Sequence, residues 1–126
     1  KADLAGKVVS VQKESSAYDA VTSDGDVVAK LKDGQLITFD SNLELFLDLE
    51  AGRSDAIVLD EVLARYVLLT KNAAEYRILE DNFGNESYGI GFRKADTTLR
   101  DKVNEALKET IADGTFDQIK KVYIND

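Results

Sequence analysis

Short apolar runs that alternate with helix-forming segments are the feature of this sequence that most constrains its fold. Apolar, largely β-branched runs at residues 7–11, 36–39 and 56–59 each precede a segment with helical spacing. Two further runs, at residues 76–79 and 88–92, raise the number of strand candidates to five. This alternation predicts an α/β fold with a mainly parallel five-stranded sheet flanked by helices.

The last third of the chain has a different pattern. Apolar residues recur at helical spacing from Leu99 to Ile111 and again from Phe116 to Tyr123. Gly114 stands between the two stretches, where a helix commonly ends. We therefore divide the chain into an α/β lobe over residues 1–92 and a C-terminal helical segment over residues 93–126.

Composition narrows the classes of function. The 126 residues carry a formal net charge of −8 and include no Cys and no His. The negative charge disfavours nucleic-acid binding, and the lack of Cys and His excludes Ser-His-Asp triads, Cys nucleophiles and ordinary zinc sites. No run of 18 apolar residues occurs, so no transmembrane helix is predicted. We expect no catalytic residue, no metal site and no cofactor.

The junction after the first strand candidate is suited to an anion. Gln12 ends the region of that strand, and Ser15 and Ser16 stand at the start of the next helix. A helix N-terminus presents unpaired N–H groups and a partial positive charge, which favour a carboxylate, and a Ser hydroxyl adds one donor. The alternative is that Ser16 only caps its helix.

The junction after the third strand candidate has the opposite preference. Asp60 follows an apolar run, and its carboxylate could accept hydrogen bonds from an ammonium group. The alternative is again a helix cap. Ligands of open α/β sheets bind beyond the carboxyl ends of the strands. One site for an anion and one for a cation would together suit the zwitterion of an α-amino acid.

Five stretches of the chain, in order, resemble one known family. They are residues 3–20 with Val8-Val9-Ser10-Val11-Gln12-Lys13-Glu14-Ser15-Ser16, 48–66 with Ala56-Ile57-Val58-Leu59-Asp60-Glu61, 88–94, 99–107 and 113–119. Together they resemble the second lobe, with the return segment to the first lobe, of polar amino-acid-binding proteins of ABC importers. These are the bacterial family 3 solute-binding proteins, which have the type II periplasmic-binding-protein fold.

The resemblance implies roles for individual residues. The position of Ser16 contacts the α-carboxylate of the ligand together with backbone N–H groups, and the position of Asp60 holds the α-ammonium group. Ser15 and Gln12 match positions near the ligand. Glu14 departs from the family, which usually has Gly there.

The resemblance also implies a function and a location. We expect an extracytoplasmic solute-binding component of an ABC transporter, in the periplasm or lipid-anchored at the outer cell surface, that delivers a polar amino acid to a permease. The N-terminal part of lobe one is expected to be absent, which leaves half of the ligand site and weak or no binding. Without that part, the helices near 96–112 and 116–122 would expose apolar stripes, so we expect a homodimer or an exchange of these helices between chains.

Two alternatives use the same fold, because fold does not fix function. One is an enzyme similar to cyclohexadienyl dehydratase, which without His would need a carboxylate or Lys for acid–base catalysis. Asp60 and Glu61 are adjacent but point in different directions at a helix start, so we do not expect an enzyme. The other is an amino-acid-sensing receptor domain, which would use the same two contacts.

Overall fold

The computed structural model describes residues 1–123. The chain divides into two compact units, with the boundary in the sequence between Asn85 and Glu86. In the first unit three parallel strands form a sheet in the order β2-β1-β3. The strands are β1 (Val9–Gln12), β2 (Ile37–Phe39) and β3 (Ala56–Val58). The expected α/β class with a parallel sheet is confirmed.

Helices follow each strand. Within residues 1–85 the α-helices are α1 (Ser16–Thr22), α2 (Gly25–Lys30), α3 (Asn42–Glu50) and α4 (Glu61–Leu68). Short 3-10 helices lie at Ala2–Leu4, Lys32–Gly34 and Ala73–Glu75. The helix α3 begins with a capping box, in which Ser41 and Glu44 each accept a hydrogen bond from the backbone of the other.

The core lies around β1, which is buried on both faces as a central parallel strand should be. Val9 and Val11 are fully enclosed, and Leu45 and Phe46 of α3 are buried as well. Leu4, Val9 and Leu31 form a cluster against which Leu79 and other partly buried side chains pack. The first unit therefore has a hydrophobic core of its own.

A buried polar network ties β1 to the segment before β3. The hydroxyls of Ser10 and Ser54 are hydrogen bonded, the Ser54 hydroxyl donates to the Asp48 carboxylate, and Arg53 Nε donates to Asp48 at 2.6 Å. The hydrogen bonds from Ser54 and then from Arg53 hold the pKa of Asp48 below its ordinary value. Because each of these buried polar side chains has a partner, the network helps to fix β3 beside β1.

The prediction of five strands is wrong for the described residues, because the sheet has three. The segment 76–79 is held by side chains instead of a backbone ladder: the Tyr76 hydroxyl donates to Glu50 at 2.6 Å, and Leu79 packs on the core. In the segment 88–92, Tyr88 and Ile90 are 73% and 59% exposed. Strand preference largely expresses the fit of side chains to a half-buried pleated surface, and this segment buries too little.

The second unit contains α5 (Thr97–Ala112) and α6 (Thr115–Tyr123), which contact each other. Gly114 connects them at φ +83°, a conformation that favours Gly. The expected C-terminal helical segment is confirmed. Residues 86–92, which we assigned to the lobe, fall in this unit, and the division of the chain at residue 92 stays a prediction.

Both helices of the second unit expose apolar side chains. The exposed fractions run from 42% to 69%. The side chains concerned are Leu99, Ile111, Phe116, Ile119, Val122 and Tyr123. Apolar stripes of this kind normally mark a surface that packs against something else.

Candidate functional site

The sheet topology brings the two predicted junctions to the same edge. β1 is the neighbour of both other strands, with Gln12 paired to Phe39 of β2 and Val11 paired to Val58 of β3. Adjacent strands lie about 4.8 Å apart. Residues that follow β1 and β3, including Ser16 and Asp60, therefore begin their helices at one end of adjacent strands.

At the first junction the helix cap is Ser15, not Ser16. The Ser15 hydroxyl accepts a hydrogen bond from the Tyr18 amide at 3.1 Å and donates to the Gln12 carbonyl at 2.7 Å. Ser16 is the first residue of α1 and is exposed. The alternative that Ser16 only caps its helix is thus wrong, and its hydroxyl lies at the helix N-terminus without that role.

The turn before Ser15 needs an unusual backbone conformation. Glu14 has φ 55°, in the left-handed region that residues other than Gly adopt only at a steric cost. Just before it, the Lys13 amide still donates to the Phe39 carbonyl at 2.9 Å. The chain therefore leaves the sheet abruptly at Glu14, and the turn forms although Glu stands where the resemblance implies Gly.

At the second junction Asp60 does cap its helix. Its Oδ1 accepts a hydrogen bond from the Leu63 amide at 2.8 Å, and the residue is half-buried. A carboxylate can accept more than one hydrogen bond, so capping a helix and contacting a ligand are compatible roles. Glu61 is exposed and binds Arg65 of its own helix at 2.7 Å, so its side chain is engaged along α4.

The structure adds a third junction that sequence reasoning missed. Asp40 comes directly after β2, and Asp60 comes two residues after β3. This repeated Asp after an apolar run was the available signal. Gln12 Nε2 donates to the Asp40 carbonyl at 3.0 Å, and Lys13 forms an ion pair with the Asp40 carboxylate. The hydrogen bond with Asp40, followed by its charge, raises the pKa of Lys13. Asp40 therefore organises the side chains at the end of β1.

Within residues 1–123, no three acidic side chains are grouped as a metal site would require. None of the helices in that range combines the length and the apolar character needed to cross a bilayer.

A family model matches nearly the whole chain, from residue 3 to residue 126, and is described as bacterial extracellular solute-binding proteins, family 3. The chain belongs to this family. The α/β fold of the described residues, with its parallel sheet, matches a part of the type II periplasmic-binding-protein fold that the resemblance implied.

Similar proteins of the family have been characterised or solved. The L-arginine-binding protein of Pseudomonas aeruginosa is 31% identical over 99% of this chain and 49% of its own length. The ABC transporter glutamine-binding protein GlnH of Bacillus subtilis is 29% identical over 87% of this chain and 40% of its own length. An ancestral arginine-binding protein bound to glutamine superposes with a TM-score of 0.76 at 35% identity, covering 98% of this chain and 52% of that one. The chain spans about half the length of these solute-binding proteins.

Proposed function

We propose that this chain carries the amino-acid-binding elements of an extracytoplasmic solute-binding component of an ABC transporter for a polar amino acid. One observation carries the proposal: β1 and β3 are neighbouring parallel strands, so a donor-rich junction and an anionic junction begin at one edge. The opposite preferences of these junctions match the two ends of an α-amino acid zwitterion. Membership of family 3 supports the same function.

The four predicted site residues have distinct roles in this proposal. Ser16 and the N–H groups of the first turn of α1 bind the α-carboxylate, and Asp60 binds the α-ammonium group. Ser15 supports the first contact indirectly, because its cap holds the start of α1 in place. Gln12 lies at the end of the central strand, next to both junctions.

The family also supports a location and a partner. Relatives named as a glutamine-binding protein of an ABC transporter and as a histidine-binding periplasmic protein support a place outside the cytoplasm and an ABC permease as the partner in transport. We propose that this place is the periplasm or, with a lipid anchor, the outer cell surface. Glu61 is engaged with Arg65 instead of facing Asp60 as a catalytic pair, which supports a binding protein over an enzyme.

The C-terminal helices are proposed to form a homodimer contact or to exchange between chains. The exposed apolar side chains of α5 and α6 support this, with Val122 at 69% and Ile111 at 58% exposed. Light scattering on the purified chain is expected to give the mass of a dimer. Ile119→Lys should shift the mass toward the monomer, and a wild-type monomer with ordered helices would contradict the contact.

NMR titration of the isotope-labelled chain tests amino-acid binding even when affinity is low. Addition of L-glutamine to about 50 mM should shift the amide signals at the starts of α1 and α4 together. Both sets of shifts should fit the same dissociation constant, on the order of millimolar. Shared saturation is expected because one zwitterion contacts both junctions. Shifts at only one of the two helices, or different constants for the two helices, would refute the proposed function.

Two analogues of glutamine provide the matched controls. Glutaramic acid lacks the α-ammonium group, and 4-aminobutanamide lacks the α-carboxylate. Each analogue should shift amide signals only at the junction that recognises its remaining charged group. Each should bind at least about tenfold more weakly than glutamine, because a charge-assisted contact is lost. If either analogue binds as well as glutamine, the two-ended site is wrong.

A further inference from the structure

We propose that a cluster of three side chains beyond the C-terminal end of α4 positions that helix and so holds Asp60 in place for the ammonium group of the ligand. The cluster consists of Glu50, Lys71 and Tyr76. This role rests on the proposed function and adds positioning residues that do not touch the ligand themselves.

Little packing attaches α4 to the rest of the first unit. The helix spans Glu61–Leu68, and none of the side chains in that range is buried. Near its C-terminal end, Tyr66 and Leu69 are 52% and 56% exposed. By contrast, Leu45 and Phe46 of α3 are buried. Because helices in proteins are stabilised mostly by the packing of an apolar face, α4 needs other contacts to keep a fixed direction.

The direction of α4 matters because the Asp60 carboxylate is attached to the helix. Its Oδ1 accepts a hydrogen bond from the Leu63 amide at 2.8 Å, so the carboxylate is oriented by the first turn of α4. The strand before Asp60, β3, is fixed beside β1 by the sheet. A movement of the far end of α4 therefore pivots about its N-terminus and turns the carboxylate. A binding contact needs its side chain held to within about 0.5 Å and 10–20°.

The cluster attaches the chain just beyond α4 to α3. Glu50 is the last residue of α3, and its carboxylate forms an ion pair with Lys71. The same carboxylate accepts a hydrogen bond from the Tyr76 hydroxyl at 2.6 Å. The Lys71 ammonium group also lies over the ring of Phe46, 5.7 Å from its centre. Since Phe46 is buried, this cation–π contact connects the segment after α4 to the core.

These contacts form a network, whereas an isolated surface ion pair contributes little. The side chains of Lys71 and Glu50 are 26% and 38% exposed, and both donors meet one oxygen, Oε1 of Glu50. The hydrogen bond from Lys71, followed by that from Tyr76, lowers the pKa of Glu50. The hydrogen bond to Glu50 raises the pKa of Tyr76 to about 12. Near neutral pH the acceptor is therefore ionised and the hydroxyl keeps its proton, so both contacts persist.

Variants of the cluster test the proposal on the full chain by amide exchange and by NMR titration. In Lys71→Met and in Tyr76→Phe, the α4 amides should exchange with deuterium about tenfold faster, and the α1 amides should be unchanged. L-Glutamine and 4-aminobutanamide, which both carry the ammonium group, should bind about threefold more weakly. Glutaramic acid lacks that group and should bind as it does to wild type. Lys71→Arg keeps the charge and should behave as wild type.

Arg77→Met is the matched control, since Arg77 is an exposed cation in the same segment of the chain. It should leave amide exchange and all three affinities unchanged. Unchanged exchange of the α4 amides in Lys71→Met would overturn the proposal. An equal loss of affinity for all three ligands would also overturn it, because the cluster would then have a general structural role. Absence of glutamine binding by the wild-type chain has the same consequence, since Asp60 would hold no ligand.

Two outcomes distinguish this positioning role from the proposed function. Shifts at only one of the two helices, when the wild-type chain is titrated with glutamine, would contradict both. An unchanged glutamine affinity in Lys71→Met, with shifts at both helices, would contradict the positioning role alone.

Discussion

The two junctions of the candidate site differ in whether helix capping and the proposed ligand contact belong to separate residues or to one residue. After β1, helix capping belongs to Ser15, and the neighbouring Ser16 is left at the helix start for the proposed carboxylate contact. After β3, one residue, Asp60, caps its helix and is also the proposed ammonium contact. At the first junction, binding and stability can therefore be tested on two different residues. At the second junction they can be separated only by comparing two substitutions of the same residue.

Substitutions of Asp60 should have the largest effect. Asp60→Asn keeps an N-cap side chain, so the free energy of unfolding should change little, whereas amino-acid affinity should fall more than tenfold because the negative charge is lost. Asp60→Ala should lose the same affinity and also about 1 kcal/mol of stability. Urea unfolding and NMR titration on both variants separate the two quantities. Retained binding in Asp60→Asn would limit Asp60 to capping.

The serine pair should give smaller effects that separate by residue. Ser16→Ala is expected to lower amino-acid affinity about fivefold and to leave unfolding unchanged, since one hydrogen bond to a charged ligand is removed. Ser15→Ala should lower the stability by about 1 kcal/mol through loss of the cap. Urea unfolding and ligand titration of each variant give both numbers. An exchange of these outcomes would show that the assignments of cap and ligand residue are reversed.

Relief of the backbone at Glu14 tests whether the first junction is strained. Glu14→Gly should raise the free energy of unfolding by about 0.5–1 kcal/mol, because Gly adopts positive φ without a steric penalty. Asp33, at φ 58°, is the matched control. Asp tolerates this conformation better than Glu, so Asp33→Gly should gain less. A loss of stability in Glu14→Gly, measured by urea unfolding, would contradict a strained turn.

The buried network around Asp48, at the other end of β3, should make the stability of the fold fall in acid. It should not change amino-acid affinity. The pKa of Asp48 is lower in the folded state than its ordinary value of 3.8. Its contribution is therefore present above that value and is lost as the pH falls through the folded pKa. Unfolding followed from pH 6 to pH 2 should show a steeper acid loss for wild type than for Asp48→Asn. Parallel curves would mean that Asp48 contributes nothing to acid sensitivity.

The sequence predicted what depends on local pattern. The runs that became β1, β2 and β3, and the helices that follow them, were readable because apolar spacing and turn residues lie within a few positions of each other. The strands expected at 76–79 and 88–92 did not form, because a strand needs a partner edge and a buried face, and neither is encoded in the run itself.

The site was predictable to a similar extent. A mainly parallel sheet indicated that Ser16 and Asp60, which both follow strands, would lie at the same edge of the sheet, whereas their roles in binding stay predictions. Ser16 was considered as a cap of α1, but the left-handed turn at Glu14 brings Ser15 into that position. Asp40 was missed because its contacts with Gln12 and Lys13 depend on strand order, which the sequence does not state.

A crystal structure of the chain soaked with L-glutamine tests the proposed site most directly. We expect one glutamine at the carboxyl ends of β1 and β3, with its α-carboxylate at Ser16 and the first N–H groups of α1, and its α-ammonium group at Asp60. Glutamine bound at any other place, or in the reverse orientation between these two helices, would contradict it.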